Sequence, residues 1–209
     1  MTEPNAKVYL VDDEPDMLKA LERLLGAAGF SVQTFPSAEQ FLALHDDTAP
    51  GCIVLDLALP GLNGLELQQA LRAQGSALPI VFLTGRGDIA ASVRAMKLGA
   101  ADFLTKPVDA RELIAAVNAA LERNREQRAH RADRHLVASR LAALTARERE
   151  IFALIAQGRL NKQIAAEFGT VEQTIKFHRA NLMRKLGVRT VADLVRLAER
   201  AGTGKPRTG

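Results

Sequence analysis

The chain has 209 residues, of which 47% are hydrophobic and 25% charged. This balance is typical of globular proteins and excludes a disordered, collagen-like or low-complexity chain. No apolar run approaches the roughly 20 residues of a membrane-spanning helix, and the first residues carry no signal peptide, so we expect a cytoplasmic protein without membrane contact. The single cysteine, Cys52, excludes an internal disulfide and a cysteine-based metal cluster.

Charge divides the chain into two unlike halves. Residues 1–120 carry 9 Lys and Arg against 15 Asp and Glu, a net charge of −6, whereas residues 121–209 carry 19 against 9, a net charge of +10. A basic domain favours a polyanionic partner, and an acidic domain favours a metal or phosphate site. The alternative for the basic half is that its cations only solvate a helical surface.

Short apolar runs alternate with helix-length amphipathic stretches along the first half. Runs of this kind without polar alternation predict strands buried on both faces, as in a parallel sheet covered by helices. The predicted strands are 8–11, 32–35, 52–57, 80–83 and 101–104. Five strand–helix units in about 120 residues predict a flavodoxin-like, doubly wound α/β domain with strand order 2-1-3-4-5.

Capping residues predict where the helices of this half begin and end. Side-chain oxygens suit the first position of a helix, proline suits its first turn, and glycine suits the residue after its end. The predicted boundary residues are Pro15 and Gly29 for the first helix, a capping box at 37–40 for the second, Gly64 for the third, Asp88 and Gly99 for the fourth, and Asp109 for the fifth.

Polar residues stand at the ends of four predicted strands. They are Asp12 and Asp13 after strand one, Asp56 in strand three, Thr84 after strand four and Lys106 after strand five. In the predicted strand order these ends meet in the ligand crevice at the switch point between strands one and three. Three carboxylates in one crevice repel one another, and a hard cation such as Mg²⁺ relieves that repulsion. A lone strand-end Asp is usually a turn former, but that interpretation does not explain the whole set.

One carboxylate in such a crevice can act as a nucleophile toward a phosphoryl group. We select Asp56 because it ends the central strand and a turn-rich loop follows it. Mg²⁺, Lys106 and backbone N–H groups would neutralise the phosphoryl charge, and the Thr84 hydroxyl would bond to a phosphoryl oxygen.

Through these residues and Pro107, positions 5–124 closely resemble the receiver domain of two-component response regulators. The resemblance implies that Asp56 accepts a phosphoryl group from a sensor histidine kinase. It also implies that Thr84 and Phe103 form a switch pair, which reports phosphorylation to the surface of the fourth helix and fifth strand. The implied magnesium ligands are Asp12, Asp13, Asp56 and the backbone carbonyl of Ala58.

A polar stretch, 121–135, separates the two halves and contains neither Gly nor Pro. This composition predicts that the fifth helix continues outward as an exposed spacer, and we assign residues 125–140 to a helical linker. The alternative is a dimerising helix.

The basic half, 141–204, contains four predicted helices. The predicted boundaries are a capping box at 145–148 and Gly158 for the first, Asn161 and Gly169 for the second, a capping box at 170–173 and Gly187 for the third, and a capping box at 190–193 for the fourth. Two helices joined by a tight glycine-containing turn, within about 60 basic residues, predict a helix-turn-helix DNA-binding domain.

The third of these helices has an apolar face and a cationic face. Val171, Ile175, Leu182 and Leu186 form an inward stripe with His178, which we assign to the core rather than to a ligand site. Cations dominate the opposite face, as a helix in the major groove requires, because they contact phosphates and base edges. A basic outer face also occurs on helices that bind no DNA.

The segment from Leu141 to about residue 200 resembles the LuxR-type helix-turn-helix domain found at the carboxyl end of many response regulators. The residues that the resemblance places against base edges are Lys176, Phe177 and Ala180. Those that it places against phosphates are Asn161, Lys162, Thr174 and Arg179, and we add Arg184 of the cationic face. A receiver followed by this domain resembles the FixJ-like branch of transcription regulators.

The combination predicts a DNA-binding transcription regulator controlled by phosphorylation. The expected partners are Mg²⁺, a sensor histidine kinase, promoter DNA, RNA polymerase and a second copy of the chain. We expect stoichiometric phosphoryl acceptance with self-dephosphorylation rather than enzymatic turnover. One alternative is a constitutive DNA-binding protein whose receiver only dimerises. The other is a phosphatase or phosphotransferase that uses Asp56 as its nucleophile, which ranks lower because Ala58 stands where such phosphatases have a second Asp.

Overall fold

The computed structural model describes residues 6–85 and 89–201. The chain divides into two compact units, with the boundary between Arg128 and Ala129. The first unit contains a five-stranded parallel sheet of order 2-1-3-4-5 with helices between the strands, and the second unit is helical. This architecture confirms the predicted fold class.

The secondary-structure elements follow the predicted order. The strands are β1 (Lys7–Val11), β2 (Ser31–Phe35), β3 (Gly51–Asp56), β4 (Ile80–Thr84) and β5 (Asp102–Thr105). The helices are α1 (Pro15–Ala27), α2 (Ala38–Leu44), α3 (Gly64–Ala73), α4 (Ile89–Lys97), α5 (Ala110–Ala142), α6 (Ala146–Ala156), α7 (Asn161–Glu167), α8 (Glu172–Leu186) and α9 (Val191–Arg200). Among the described residues, no helix combines the length and apolar character of a membrane span.

Strand register brings the polar strand ends to one edge of the sheet. Val11 pairs with Leu55, so Asp12 follows β1 beside Asp56, the last residue of β3. Thr84 ends β4 and pairs with Thr105, and Lys106 follows directly. The carboxyl edge predicted to hold the site is therefore formed by these residues.

Two apolar clusters cover the two faces of the sheet. Tyr9 packs with Phe41 and Phe82 on one face, and its neighbour Leu10 packs with Leu25 and Leu113 on the other. Successive residues of β1 enter different clusters because side chains alternate across a strand.

Only the central strands are buried throughout. Every residue of β3 and β4 is buried, but β2 and β5 are largely half-buried or exposed. The prediction that all the strands are buried on both faces is wrong for these two, because edge strands lie at the margin of the covering helices.

Helices α1, α2 and α5 begin where the sequence predicts. Pro15 begins α1, and the Ser37 hydroxyl accepts a hydrogen bond of 3.2 Å from the Gln40 N–H at the start of α2. Asp109 Oδ1 accepts bonds from the N–H groups of Arg111 and Glu112 at the start of α5. Asp88, the predicted cap of the fourth helix, lies outside the described residues.

Helix α5 is not the fully exposed spacer that its composition predicts. Asn124 is buried, accepts a hydrogen bond of 3.2 Å from the Gly51 N–H and donates one of 2.9 Å to the Ala77 carbonyl. Farther along, Val137 is buried in the core of the second unit. The spacer prediction is wrong at Asn124 because its amide forms hydrogen bonds with two backbone groups, a role that polarity alone does not reveal.

The second unit packs α6 to α9 around an apolar core that includes Ile151, Ile175 and Leu182. The capping boxes at Thr145 and Thr190 are confirmed: each hydroxyl accepts the N–H three residues on, and that residue's carboxylate accepts the threonine N–H.

Two predicted caps are wrong. Asn161 is the first residue of α7 rather than its cap, since Leu160 precedes it and donates its N–H to Gln163 Oε1. Thr170 does not cap α8, because its N–H bonds to the Ala165 carbonyl and so closes the end of α7. Helix α8 therefore follows Val171, which makes no side-chain capping bond.

The late start of α8 also corrects its predicted stripe. Val171 is exposed rather than inward, because it precedes the helix and does not share its periodicity. Ile175, Leu182 and Leu186 are buried as predicted, and His178 is half-buried.

Candidate phosphoacceptor pocket and nucleic-acid interface

The carboxyl edge of the sheet gathers three carboxylates and one ammonium group. One carboxylate oxygen from each of Asp12, Asp13 and Asp56 lies within 4.8 Å of the others. Lys106 Nζ lies 2.8 Å from Asp12 Oδ2 and 2.9 Å from Asp56 Oδ2. The structure thus brings together four of the residues that sequence analysis selected from separate strand ends.

Burial makes the charged form of the carboxylates in this pocket unfavourable without compensation. Asp12 is 1% exposed and Asp56 5% exposed. Carboxylates removed from water in this way require compensating cations or hydrogen-bond donors. Lys106 balances one of three negative charges, so the pocket keeps an excess of negative charge that a divalent cation would neutralise. The donors are all oxygen atoms, as Mg²⁺ prefers, so the residues present fit that ion.

The protonation of the pocket follows from its geometry. Burial raises the pKa of Asp12 above its ordinary value, although hydrogen bonds from Lys106 and from the Glu14 N–H oppose the shift. Burial acts to lower the pKa of Lys106, but hydrogen bonds to Asp12 and Asp56 outweigh it and raise that pKa. Lys106 is therefore held as an ammonium group between the two carboxylates.

One backbone N–H group and the Lys106 side chain hold the carboxylate of Asp56 in one orientation. Its Oδ1 accepts a hydrogen bond of 3.2 Å from the Ala58 N–H, while Oδ2 faces Lys106. Gly64, where α3 begins, lies close behind: an added Cβ would be 2.6 Å from the Asp56 carbonyl oxygen. A side chain at Gly64 would displace the strand end that carries Asp56.

The two predicted switch residues differ in exposure. Thr84 is buried, and its hydroxyl donates a hydrogen bond of 3.3 Å to the Gly85 carbonyl. Phe103 on β5 is 40% exposed. Val93 and Met96 of α4 are exposed as well. We call Val93, Met96 and Phe103 the α4–β5 face.

Two carboxylates near the pocket escaped sequence analysis. Glu14 Oε1 lies 3.5 Å from Lys106 Nζ. The one feature of the sequence that could have indicated this contact is the position of Glu14 directly after Asp12 and Asp13. Glu39 of α2 accepts a hydrogen bond of 3.2 Å from the Leu62 N–H, in the loop after Asp56. Nothing in the local sequence of α2 indicated that contact.

In the second unit, α8 exposes all three of its predicted base-facing residues to solvent, together with Arg184. Phe177 is 65% exposed, and Lys176, Ala180 and Arg184 are exposed too. Lys176 Nζ lies 3.3 Å from Glu172 Oε1, one helical turn earlier. The side chains predicted to face base edges are therefore available to a partner.

The predicted phosphate contacts are less uniform. Lys162 is exposed, whereas Asn161, Thr174 and Arg179 are half-buried. Arg179 Nη1 donates a hydrogen bond of 2.9 Å to Asn161 Oδ1, which joins α8 to the start of α7. This bond orients the guanidinium group.

Other cations of this unit stabilise its interior. Lys185 Nζ lies 2.6 Å from Glu148 Oε2, and Glu148 is buried. The hydrogen bonds from Lys185 and from the Thr145 N–H lower the pKa of Glu148 below its ordinary value. Arg140 donates to the Leu186 carbonyl. Part of the basic charge of this half therefore stabilises the fold.

Comparison with known proteins agrees with both predicted domains. Residues 8–118 match the family described as the response regulator receiver domain, and residues 142–198 match the bacterial regulatory proteins of the luxR family. The chain belongs to the response-regulator family. As a response regulator with a LuxR-type DNA-binding domain, it combines the parts that phosphorylation-dependent regulation of transcription requires.

Full-length relatives share this arrangement. The response regulator protein TodT of Pseudomonas putida is 39% identical over 200 residues, which are 96% of this chain and 88% of TodT. The transcriptional regulatory protein FixJ of Bradyrhizobium diazoefficiens is 40% identical over 195 residues, 93% of this chain and 95% of FixJ. The structure of response regulator StyR has a TM-score of 0.87 and 43% identity, and covers 94% of this chain and 99% of StyR. These relatives confirm the FixJ-like branch.

Proposed function

We propose that Asp56 accepts a phosphoryl group from a sensor histidine kinase, and that phosphorylation controls dimerisation and binding to promoter DNA. The observation that carries this proposal is the buried contact between Asp56 and Lys106, beside two further carboxylates. A strand-end carboxylate held by a lysine and a backbone N–H is oriented for attack, and the excess negative charge around it favours a bound cation.

The transfer replaces one bond to phosphorus with another. A carboxylate oxygen of Asp56 forms the new P–O bond while the P–N bond to the donor histidine breaks, and the histidine nitrogen keeps the electron pair. Asp12, Asp13, Asp56 and the Ala58 carbonyl would hold Mg²⁺, which when bound neutralises phosphoryl oxygens. Lys106 adds its ammonium charge from the other side. We propose stoichiometric acceptance followed by self-hydrolysis, not metabolic turnover.

The added phosphoryl oxygens are stronger acceptors than the Gly85 carbonyl. The Thr84 hydroxyl would turn from that carbonyl toward the phosphoryl group. Its movement would let Phe103 become buried and change the α4–β5 face, whose exposed apolar side chains make it the proposed contact between two receivers.

A dimer presents two copies of α8 to two half-sites, and the linked contacts strengthen each other. We propose that Lys176, Phe177 and Ala180 face base edges, that Asn161, Lys162, Thr174 and Arg179 serve the phosphates, and that Arg184 adds a further contact. RNA polymerase is the proposed further partner at the promoter, and the cytoplasm the proposed location.

The Asp56→Asn variant tests this function directly. We expect it to lose acid-labile phosphoryl incorporation and the increase in DNA affinity that a phosphodonor produces in the wild type. Asp16→Asn is the matched control, since Asp16 is a fully exposed carboxylate of α1. DNA binding that still increases with phosphodonor in Asp56→Asn would refute the proposal, and equal binding with and without phosphodonor in the wild type would favour constitutive DNA binding.

A further inference from the structure

Phe177 is the most exposed aromatic residue in the part of the chain that the structure describes. Its side chain lies on the outer face of α8 and is 65% exposed. The ring packs edge-on against His178, with ring centroids 6.0 Å apart and planes at 68°. This contact supports the ring on the helix surface without covering it.

The surroundings of Phe177 are cationic. Lys176 precedes it, and Arg184 lies two turns farther along the same side of α8. Ala180, one turn away, carries only a methyl group and so leaves the ring accessible. A second copy of this face would bring like charges together, whereas a polyanion would be attracted. Charge therefore favours DNA as the partner that covers the ring.

The major groove of DNA offers few apolar surfaces. Base edges there present hydrogen-bond donors and acceptors, and the exposed apolar group is the C5 methyl of thymine. A phenylalanine ring has no hydrogen-bonding group, so it stabilises a complex in the groove only by covering an apolar surface.

We propose that Phe177 is a specificity-determining residue that packs on a thymine methyl group, and that each half-site of the operator carries a thymine at that position. This inference rests on the proposed DNA-binding function of α8 and adds the base that it recognises. Lys176 and Arg184 then supply charge and hydrogen bonds around an apolar contact.

The experiment removes the methyl group without changing the base pair. Full-length protein activated with beryllofluoride and Mg²⁺ selects its sites from a random duplex library. Each thymine of the selected duplex is then replaced singly by deoxyuridine, which lacks only the C5 methyl. We expect one replacement per half-site to lower wild-type affinity about fourfold, the effect of losing about one buried methyl contact.

Phe177→Ala should bind the thymine and deoxyuridine duplexes equally, and Phe177→Leu should keep part of the discrimination. Leu136→Ala is the matched control: it removes an exposed apolar side chain from α5 and should discriminate as the wild type does. Because Phe177 is exposed, thermal unfolding of its variants should match the wild type, which separates loss of contact from loss of fold.

Three outcomes would overturn the proposal. Sequence-specific binding that is insensitive to every deoxyuridine replacement shows that no thymine methyl is read. An equal loss in the wild type and Phe177→Ala assigns the methyl contact to another residue. Altered self-association of Phe177→Ala with unchanged discrimination assigns the ring to a protein partner. Failure to select any sequence is a different result, because it refutes the DNA-binding function itself along with this inference.

Discussion

In the receiver most of the functional charges are buried and bonded to one another, whereas in the LuxR-type unit all three base-facing candidates are exposed. Asp12 and Asp56 are almost fully buried, and Lys106 is 16% exposed between them. The side chain of Lys176 on α8 is 56% exposed. A buried charge destabilises the fold unless a partner compensates it, but an exposed cation is already solvated. The charges of the receiver pocket must therefore find their partners within the folded domain. The cations of α8 need no partner in the folded protein and stay available to a ligand.

The pair formed by Glu148 and Lys185 shows that the LuxR-type unit also contains a buried charge. It lies in the LuxR-type unit, yet it is a short contact to a buried carboxylate, as in the receiver. Its charges are balanced one to one, however, and the receiver pocket keeps excess negative charge around Lys106. Unbalanced charge at the sheet edge, rather than burial alone, distinguishes a candidate binding site from an internal stabilising contact.

The largest expected effect comes from removing the cation of the receiver pocket. In Lys106→Met, Asp12 and Asp56 remain buried without their shared ammonium group. We expect a loss of about 3 kcal/mol in the free energy of unfolding in EDTA. Mg²⁺ should recover a large part of it by neutralising the same carboxylates, and the variant should bind Mg²⁺ more tightly than the wild type.

Urea unfolding of the receiver with and without Mg²⁺ measures this effect. Lys19→Met is the control, because Lys19 is exposed and its loss should change stability by less than about 0.5 kcal/mol. An equal loss of stability with and without Mg²⁺ would contradict the idea that an ion can replace the lysine.

The next largest effect separates two adjacent cations of α8. In Lys185→Met, the buried Glu148 loses its cationic partner and keeps its hydrogen bonds from Thr145, so we expect the LuxR-type unit to lose about 2 kcal/mol in its free energy of unfolding. Arg184→Met should leave stability within about 0.5 kcal/mol and instead weaken DNA binding. Thermal unfolding and DNA titration of both variants measure these two effects. A lower stability of Arg184→Met than of Lys185→Met would contradict the assignment of Lys185 to the fold and Arg184 to DNA.

A smaller effect concerns the bond between Asn161 and Arg179. Arg179→Gln should lower DNA affinity about tenfold and make the slope of log affinity against log salt shallower by about 1, the signature of one lost phosphate contact. Asn161→Ala leaves the charge of Arg179 but removes its orienting bond, so affinity should fall less and the salt slope should persist. Arg123→Gln, an exposed arginine of the receiver, controls for the lost charge; an equal change of slope there would contradict the assignment.

The smallest effect is an opposite response of the two units to pH. Burial raises the pKa of Asp12 in the folded protein above its value in the unfolded chain, about 3.8. The contribution of Asp12 to stability is therefore present below about pH 3.8 and is lost as the pH rises through the folded-state pKa. The Lys185 contact lowers the pKa of Glu148 in the folded protein below its value in the unfolded chain, about 4.5. The contribution of Glu148 to stability is therefore present above about pH 4.5 and is lost as the pH falls through the folded-state pKa.

Hydrogen exchange of β1 and β3, and of α6 and α8, follows the units separately across pH. The stability of Asp12→Asn should exceed that of the wild type at high pH and converge with it at low pH. Glu148→Gln should be less stable than the wild type at high pH and also converge at low pH. Differences of the same sign in both units would contradict the opposite electrostatic environments.

Sequence patterns predicted the receiver better than the LuxR-type unit. Apolar runs located every strand, and the shared carboxyl edge of a parallel sheet was enough to place Asp12, Asp56 and Lys106 together. In the helical unit the same kind of reasoning misassigned Thr170, because a threonine before a helix can also end the preceding one. Val171 was then placed on a stripe that it does not share.

The order of strands and helices, the family and the residues at the sheet edge were readable in the linear chain, because periodicity and strand direction are local properties. Which charges bond to which was decided only in three dimensions. Lys106 is 50 residues from Asp56 along the chain, and Lys185 is 37 residues from Glu148. Arg184 and Lys185 are neighbours of similar charge, yet one faces solvent and the other contacts a buried carboxylate. Contacts between such distant residues depend on how whole elements pack, and no local pattern encodes that packing.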